Sequence, residues 1–163
     1  MKVLSFVAAA SNSGKTTIIE KVVRLLKKRG LRVAVVKHAS KGFELDRAGK
    51  DSWRFRQAGA DAVVLIGPGQ TAVMKNMDRQ PDDAELERLI GSVDVVIKEG
   101  FKSDPGPKIE VFRSKVTAGQ PLCVNDNSFL ALVSDIEIKI QIPWFELDDV
   151  EGVASFIAAK FEL

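Results

Sequence analysis

The residues best suited to chemistry lie near the start of the chain, where residues 9–16 read Ala-Ala-Ser-Asn-Ser-Gly-Lys-Thr. Apart from Ala9, which stands where a glycine is usual, the run matches the pattern G-x-x-x-x-G-K-[ST] of a phosphate-binding loop, or P-loop. Gly14 lets the backbone approach phosphates without a Cβ, and successive N–H groups at a helix N-terminus donate to the anion. Lys15 is predicted to place its charge on the β- and γ-phosphates, and the Thr16 hydroxyl to ligate Mg²⁺.

The surroundings of this loop favour a real P-loop over a chance Gly-Lys-Thr. The apolar run at residues 3–8 predicts a buried strand before it, and apolar residues at helical spacing over 15–29 predict a helix after it. If the position of Ala9 needs positive φ, an alanine there costs about 1–2 kcal/mol. An adaptor whose degenerate P-loop binds no triphosphate is therefore an alternative. The predicted phosphate-binding residues are Asn12, Ser13, Gly14, Lys15, Thr16 and Thr17.

A second motif is the apolar strand at residues 93–97, which is followed by Lys98 and Glu99. A P-loop protein needs an acidic group at a strand end to hold hydrated Mg²⁺. In an open α/β sheet ligands bind beyond the carboxyl ends of the strands. This rule favours Glu99 over Asp94, which begins the strand, as the metal ligand beside Thr16. A solvated strand-end carboxylate is the alternative.

A third group of charged residues follows the second predicted strand. Asp46 is a candidate to bind Mg²⁺ or to orient the attacking water, and Arg47 and Lys50 are candidates to meet phosphate oxygens. The alternative for Arg47 and Lys50 is a solvated helix start. For His38, directly after the strand, a role in the site and a histidine satisfied by backbone groups are equally good explanations. Lys15, Asp46 and Glu99 are thus the residues expected to support any hydrolysis.

Apolar runs alternate with amphipathic stretches along the whole chain, which is the pattern of α/β architecture. We predict one nucleotide-binding domain over residues 1–163, with a three-layer P-loop NTPase fold and a mostly parallel, doubly wound sheet. Strands are predicted at residues 3–8, 31–36, 62–66, 71–77, 93–97, 109–112, 129–133 and, more weakly, 140–145. Helices are predicted at residues 15–29, 48–58, 82–90 and 148–161, the last with Asp148 as N-cap.

Composition excludes several other classes of protein. The net charge of +2 argues against a protein dedicated to nucleic acid, which usually has a strong basic excess. One cysteine, Cys123, and one histidine permit neither an internal disulfide nor a Cys/His metal cluster, which fits the cytoplasm. No apolar stretch has the ~20 residues of a membrane span. The first residues superficially resemble a signal peptide, but cleavage near Ala10 would destroy the P-loop.

Several short runs together resemble the MobB family, the molybdopterin-guanine dinucleotide biosynthesis protein B. The resemblance extends over about residues 3 to 135. The resembling runs are S-G-K-T-T at 13–17, V-K-H at 36–38, D-R-A-G-K-D-S at 46–52, Q-A-G-A at 57–60, E-G-F-K at 99–102, P-K-I-E at 107–110 and A-L-V-S-D at 131–135.

This resemblance implies a GTP-binding P-loop protein that uses Mg²⁺, hydrolyses GTP weakly and assists the attachment of GMP to molybdopterin. The transfer itself belongs to a MobA-like nucleotidyltransferase, so the expected partners are that enzyme and other molybdopterin or molybdoenzyme maturation proteins. A homodimer is also implied. The rival function is a small-molecule kinase or an ATP-dependent ligase on the same fold.

Asp135 is the residue that we predict to select guanine. It lies just past the predicted strand 129–133, at the sheet edge that faces the ligand crevice. A single carboxylate can accept both N1–H and the N2 amine of guanine, and adenine offers no matching pair. The Asn-Lys-x-Asp motif of ordinary GTPases is absent, so guanine preference otherwise rests on the resemblance. The alternative is that Asp135 caps the following turn.

Overall fold

The computed structural model describes residues 2–163. They form two compact units, one of residues 2–38 and 90–163 and the other of residues 39–89. The strands are β1 (Lys2–Val7), β2 (Val33–Lys37), β3 (Ala62–Gly67), β4 (Gln70–Lys75), β5 (Val95–Glu99), β6 (Lys108–Phe112), β7 (Phe129–Ser134) and β8 (Trp144–Glu146). The helices are α1 (Lys15–Lys28), α2 (Asp51–Gln57), α3 (Asp83–Ile90), α4 (Val150–Phe161) and a 3₁₀ turn at Leu122–Val124.

The first unit is built on a six-stranded sheet in the order β2-β5-β1-β6-β7-β8. Every pair of neighbouring strands in it is parallel. All carboxyl ends therefore lie at one edge of the sheet, and β1 sits between β5 and β6, which follow it much later in the chain. This edge beside β1 is the place where a doubly wound sheet binds its ligand. The predicted α/β P-loop fold with a mostly parallel sheet is confirmed.

The core lies where α1 and α4 pack on one face of this sheet. α1 buries four apolar side chains at helical spacing, and α4 buries four more. Alternate residues of the strands meet them, because successive strand side chains point to opposite faces. The buried strand residues of this core are Leu4, Phe6, Val95, Ile97, Ile109, Val111, Ala131 and Val133. Since α1 begins directly at the P-loop, packing of α1 also fixes that loop against the sheet edge.

The second unit contains the antiparallel hairpin of β3 and β4, together with α2. Val63 and Met74 are paired across the hairpin and are buried. Most of the remaining hairpin side chains are exposed, including Ile66 at 83%. The strand predicted to return beside 62–66 is confirmed. The prediction of one nucleotide-binding domain over residues 1–163 stays a prediction.

Most element boundaries differ from the sequence predictions by one or two residues, and α2 and the last strand differ by more. α2 begins at Asp51 rather than at residue 48, because residues 48–50 form a turn that includes Gly49 at a φ of 88°. The last strand is Trp144–Glu146, so the prediction of 140–145 was wrong over its first four residues. The N-cap of α4 is Asp149, whose carboxylate accepts from the Gly152 amide at 2.9 Å. Asp148 as the cap was therefore wrong by one residue.

No helix within residues 2–163 has the length and apolar character needed to cross a lipid bilayer.

Candidate functional site

The loop between β1 and α1 has the backbone form of an anion cradle. Asn12 and Gly14 adopt left-handed φ values of 60° and 91°, which turn successive N–H groups inward. Gly14 is also the N-cap of α1, and its carbonyl accepts from the Ile18 amide at 3.0 Å. The N-terminus of a 14-residue helix therefore opens onto the loop and adds its positive dipole end to the cradle.

Ala9 does not carry the strain that its position in the motif suggested. The non-glycine residues with positive φ among residues 2–163 are Asn12, Phe101 and Glu162. Ala9 therefore keeps an ordinary φ, and the cost of about 1–2 kcal/mol does not arise. Its carbonyl accepts a hydrogen bond from Lys102 Nζ at 2.9 Å. This contact ties the start of the P-loop to the segment that follows β5, so the loop is supported from outside.

Thr16 and Glu99 meet at the carboxyl edge of the sheet. Thr16 Oγ1 donates to Glu99 Oε1 at 2.7 Å, and Lys37 Nζ lies 3.2 Å from Glu99 Oε2. The parallel register of β1 and β5 places Phe6 beside Glu99, so this carboxylate lies at the ligand end of β5. Among residues 2–163 no group of three or more His, Cys, Asp or Glu side chains is placed to hold a metal. Two hard oxygen donors beside a phosphate cradle are nevertheless the protein ligands that Mg²⁺ uses in nucleotide sites.

Lys15, the first residue of α1, is half-buried. Burial lowers the pKa of its ammonium, and the charge of Glu99 opposes this, while Lys102 and Lys37 lower the pKa further. Its Nζ lies 3.5 Å from Ser13 Oγ. Three lysines around one carboxylate give this edge of the sheet a net positive charge, which favours a polyanion.

The P-loop opens onto a cavity of about 850 Å³. Charged side chains on its walls come from both sides of β1: Lys15 and Lys21 from α1, Glu99 from β5, Arg113 after β6 and Asp148 before α4. The remaining walls are Ser11, Asn12, Ser13, Gly14, Thr16, Thr17, Ile18 and Leu147. The six P-loop residues predicted to bind phosphate, from Asn12 to Thr17, thus all line this cavity, whereas Arg47 and Lys50 do not.

Asp94 lies at the opposite end of β5 from the cavity. It directly precedes β5, and roughly 16 Å of extended chain separates it from Glu99. Its carboxylate accepts from the Arg32 amide at 2.6 Å and from the Arg32 guanidinium at 3.1 Å. The side-chain hydrogen bond from Arg32 holds the pKa of Asp94 below its usual value. Asp94 is therefore committed to Arg32, and Glu99 is the strand carboxylate that lies beside the P-loop.

Asp135 follows β7, as predicted, but its carboxylate is occupied. One oxygen accepts from the Ser114 amide at 2.8 Å and the other from Ser114 Oγ at 3.1 Å. The backbone hydrogen bond is the main reason that the pKa of Asp135 is lowered. Asp135 is not among the residues that line the cavity. These contacts give Asp135 a structural role toward the segment after β6 rather than toward the turn that follows β7, and guanine selection by Asp135 stays a prediction.

Asp46, Arg47 and Lys50 belong to the second unit. Asp46 Oδ1 accepts from the Arg47 amide at 2.9 Å and from Ser52 Oγ at 3.0 Å. The other oxygen, Oδ2, is buried and has no hydrogen-bond partner among the described residues. Arg47 and Lys50 are exposed. Their roles toward metal, water or phosphate stay predictions.

Sequence reasoning missed Arg113, Lys21, Leu147 and Asp148 as cavity residues. A signal for Arg113 was present, because it directly follows the apolar strand 109–112. The carboxyl-end rule that selected Glu99 applies equally to Arg113. Lys21 lies two turns into α1, and Leu147 and Asp148 come from the far end of the chain. No local pattern marks these three as neighbours of the P-loop.

Comparison with known proteins shows the family of this chain. The model of the family described as MobB, molybdopterin guanine dinucleotide synthesis protein B, matches residues 3–135. This chain belongs to the MobB family.

Curated relatives are similar to this MobB-family chain over most of its length. A molybdopterin-guanine dinucleotide biosynthesis adapter protein of Haemophilus influenzae is 34% identical over 152 residues, which cover 90% of the chain and 83% of the relative. The protein of the same description from Escherichia coli is 32% identical over 157 residues, which cover 92% and 88%.

Solved structures of the family share the fold of this MobB-family chain. A crystal structure of a molybdopterin-guanine biosynthesis protein B is 30% identical, with a TM-score of 0.73, and 97% of this chain and 99% of that one are covered. A MobB homologue from Bacillus stearothermophilus has a TM-score of 0.74 at 24% identity, with 99% of each chain covered.

Proposed function

We propose that this chain is a GTP-binding adapter protein of molybdopterin guanine dinucleotide biosynthesis, with weak GTP hydrolysis of its own. The observation that carries the nucleotide part is the 2.7 Å contact between Thr16 Oγ1 and Glu99 Oε1 at the mouth of the P-loop. The adapter role is supported by membership of the family and by the names of the two bacterial relatives. Guanine is the base proposed because the product named for the family is a guanine dinucleotide.

In this proposal the protein binds the phosphate chain chiefly with its backbone. The turn at Asn12 and Gly14 and the N-terminus of α1 donate N–H groups, and Lys15 supplies the neutralising charge. Thr16 and Glu99 hold Mg²⁺, whose chemistry is to neutralise charge on the β- and γ-phosphate oxygens. Asp46 stays a proposed second ligand or water-orienting group.

Weak hydrolysis is consistent with how Glu99 is held. A general base must be free to take a proton from the attacking water. Glu99 already accepts a hydrogen bond from Thr16 and pairs with Lys37, and in this proposal it also holds Mg²⁺, so it is not free to act as that base. The site is therefore better arranged to bind and orient a triphosphate than to cleave it rapidly.

Calorimetry with GTP, ATP and CTP in the presence of Mg²⁺ tests the nucleotide proposal. GTP is expected to bind most tightly. Lys15→Ala should weaken Mg²⁺-GTP binding by about 10- to 100-fold, the value of one lost charge-assisted hydrogen bond, while the fold survives. Lys28→Ala, at the far end of the same helix, is the matched control and should bind as the parent does. Equal affinity of the folded Lys15→Ala variant and the parent would refute the P-loop assignment.

The proposed partner is a MobA-like nucleotidyltransferase, which performs the transfer of GMP to molybdopterin. This part rests on the family, and we propose a cytoplasmic location for this chain because its one cysteine suits a reducing compartment. Co-purification of the two proteins with and without GTP tests it. Recovery that never rises above the background of an unrelated protein would count against the complex.

A homodimer is proposed from the family and supported by the β3–β4 hairpin. Val64, Ile66 and Val73 share one face of this two-stranded sheet and are between 52% and 83% exposed. Isolated hairpins of two strands are marginally stable, and contiguous exposed apolar surface marks an interaction site. Sedimentation should find a dimer that Ile66→Asp dissociates. Ile136→Asp, an exposed apolar position in the first unit, should stay dimeric; a monomeric parent at micromolar concentration would remove the proposal.

A further inference from the structure

Arg113 brings a guanidinium to the P-loop from the side opposite Glu99. It directly follows β6, and the register of β1 with β6 pairs Val7 with Glu110, so both strands end at the same sheet edge. Arg113 Nη2 lies 3.7 Å from the place that a Cβ on Gly14 would occupy. The side chain also lines the cavity. Arg113 is therefore within reach of any phosphate that Gly14 admits.

The guanidinium of Arg113 is not engaged by another side chain. Among residues 2–163 it makes no ion pair within 4.0 Å and no side-chain hydrogen bond, although its charge contributes to the lowered pKa of Asp135. Lys37 and Lys102 at the same edge are engaged, the first by Glu99 and the second by the Ala9 carbonyl. A planar fork of donors on a cavity wall is suited to bidentate contact with phosphate.

The backbone that carries Arg113 is rigidly held. The Arg113 carbonyl accepts from the Val116 amide at 3.1 Å and from the Thr117 amide at 3.0 Å, which closes a tight turn. The next residue, Ser114, donates from its amide and its hydroxyl to the two oxygens of Asp135. The backbone at Arg113 therefore needs little further ordering when the side chain meets a ligand.

The position of Arg113 also indicates which phosphates it meets. Thr16 and Glu99 lie on the β5 side of β1, where they would hold Mg²⁺ beside the end of the phosphate chain that carries the β- and γ-phosphates. Arg113 comes from β6, on the other side of β1. The cavity that Arg113 lines also has Lys21, Leu147 and Asp148 on its walls, and its volume of about 850 Å³ leaves room for a nucleoside. The guanidinium thus faces the part of the phosphate chain nearer the nucleoside.

We propose that Arg113 binds the α- and β-phosphates of the guanine nucleotide and that Asp135 is a positioning residue, which holds Arg113 in place through Ser114. The proposal rests on the nucleotide binding proposed above. It makes the affinity for GTP and GDP depend on Arg113 equally, because both nucleotides carry these two phosphates.

The test is calorimetry with Mg²⁺-GTP and Mg²⁺-GDP on the parent, Arg113→Ala and Arg113→Lys. Binding by the parent tests the proposed function separately from this inference. Arg113→Ala should lose about 10- to 100-fold in affinity for both nucleotides by the same factor, and Arg113→Lys should lose less. Arg24→Ala, an exposed arginine on α1 outside the cavity, is the control and should bind as the parent does. Unchanged affinity in Arg113→Ala, or a loss confined to GTP, would overturn the assignment.

A second measurement tests the positioning role of Asp135. Asp135→Ala should weaken the affinities for GTP and ATP by the same factor. Arg113→Ala should cause a smaller loss of affinity in the Asp135→Ala variant than it causes in the parent. A fall in the ratio of GTP to ATP affinity toward one would mean that Asp135 contacts guanine, and the positioning role would be wrong. No change in affinity would overturn that role as well. Circular dichroism confirms that each variant remains folded.

Discussion

The ion pair between Lys98 and Asp104 gives a direct test of what holds the P-loop region in place. Lys98 Nζ lies 2.8 Å from Asp104 Oδ2, and the two side chains are 6% and 21% exposed. Lys98 also lies over the Phe101 ring, 5.1 Å from its centroid, and Asp104 Oδ1 accepts from the Gly106 amide. Burial works against ionisation of Asp104, but the hydrogen bonds from Lys98 and Gly106 leave its pKa lowered. The pair therefore holds in place the segment that includes Lys102, whose Nζ contacts the P-loop at the Ala9 carbonyl.

We expect Asp104→Asn to lower the free energy of unfolding by about 3 kcal/mol. The attraction across 2.8 Å is about 6 kcal/mol at an effective dielectric constant of 20, and desolvation of the two charges offsets part of it. Loss of one partner of a buried pair costs about 3–5 kcal/mol, and the partial exposure of Asp104 places the value at the lower end. In a chain of this size that is a fall in Tm of about 6–12 °C.

Denaturant unfolding of Asp104→Asn, Lys98→Met and the double variant measures this energy. The double variant should regain at least half of the loss, because it no longer buries an ammonium without this carboxylate. Glu20→Gln, which removes the exposed partner of Arg24, is the control and should cost less than about 1 kcal/mol. A loss below about 1 kcal/mol in Asp104→Asn, or additive losses in the double variant, would refute the reasoning.

Three further predictions concern other groups. Glu99→Gln should abolish the Mg²⁺ dependence of GTP binding with a smaller effect on metal-free affinity, whereas Asp94→Asn should not; the reverse pattern in calorimetry would make Asp94 the ligand. Burial, reinforced by Glu110, raises the pKa of the Cys123 thiol to about 12, so iodoacetamide at pH 8 should react slowly until the protein is denatured, and rapid native labelling would contradict this. The lowered pKa of Asp135 stabilises the fold above about pH 3.9, and that contribution is lost as pH falls through the folded value. The difference in Tm between the parent and Asp135→Asn should therefore shrink from pH 6 to pH 2, and a constant difference would rule this out.

The sequence was most informative where one local pattern determines both structure and chemistry. The P-loop follows from Gly14 and Lys15 between a strand and a helix, and its backbone form is found as predicted. Glu99 was preferred over Asp94 by the direction of a parallel strand, and the register of β5 with β1 puts it at the ligand end.

Predictions failed or stayed open where the answer depends on distant residues. Asp148 and Asp149 are adjacent and chemically identical, so only the approach of the chain decides which one caps α4. Asp135 has two good local roles, and its partner Ser114 lies 21 positions away. Division of the chain into two units is likewise a property of long-range contacts, which hydrophobic periodicity does not report.

The contact between Lys37 and Glu99 makes an ammonium group a competitor for the metal site. A metal ion that binds Glu99 would have to displace the Lys37 ammonium, whose Nζ lies 3.2 Å from Glu99 Oε2. The apparent metal affinity would therefore be the intrinsic affinity divided by a factor that depends on the strength of the Lys37 contact. Removal of Lys37 therefore raises that affinity. Loading with metal would in turn release Lys37, one residue before His38, the last residue of the first unit.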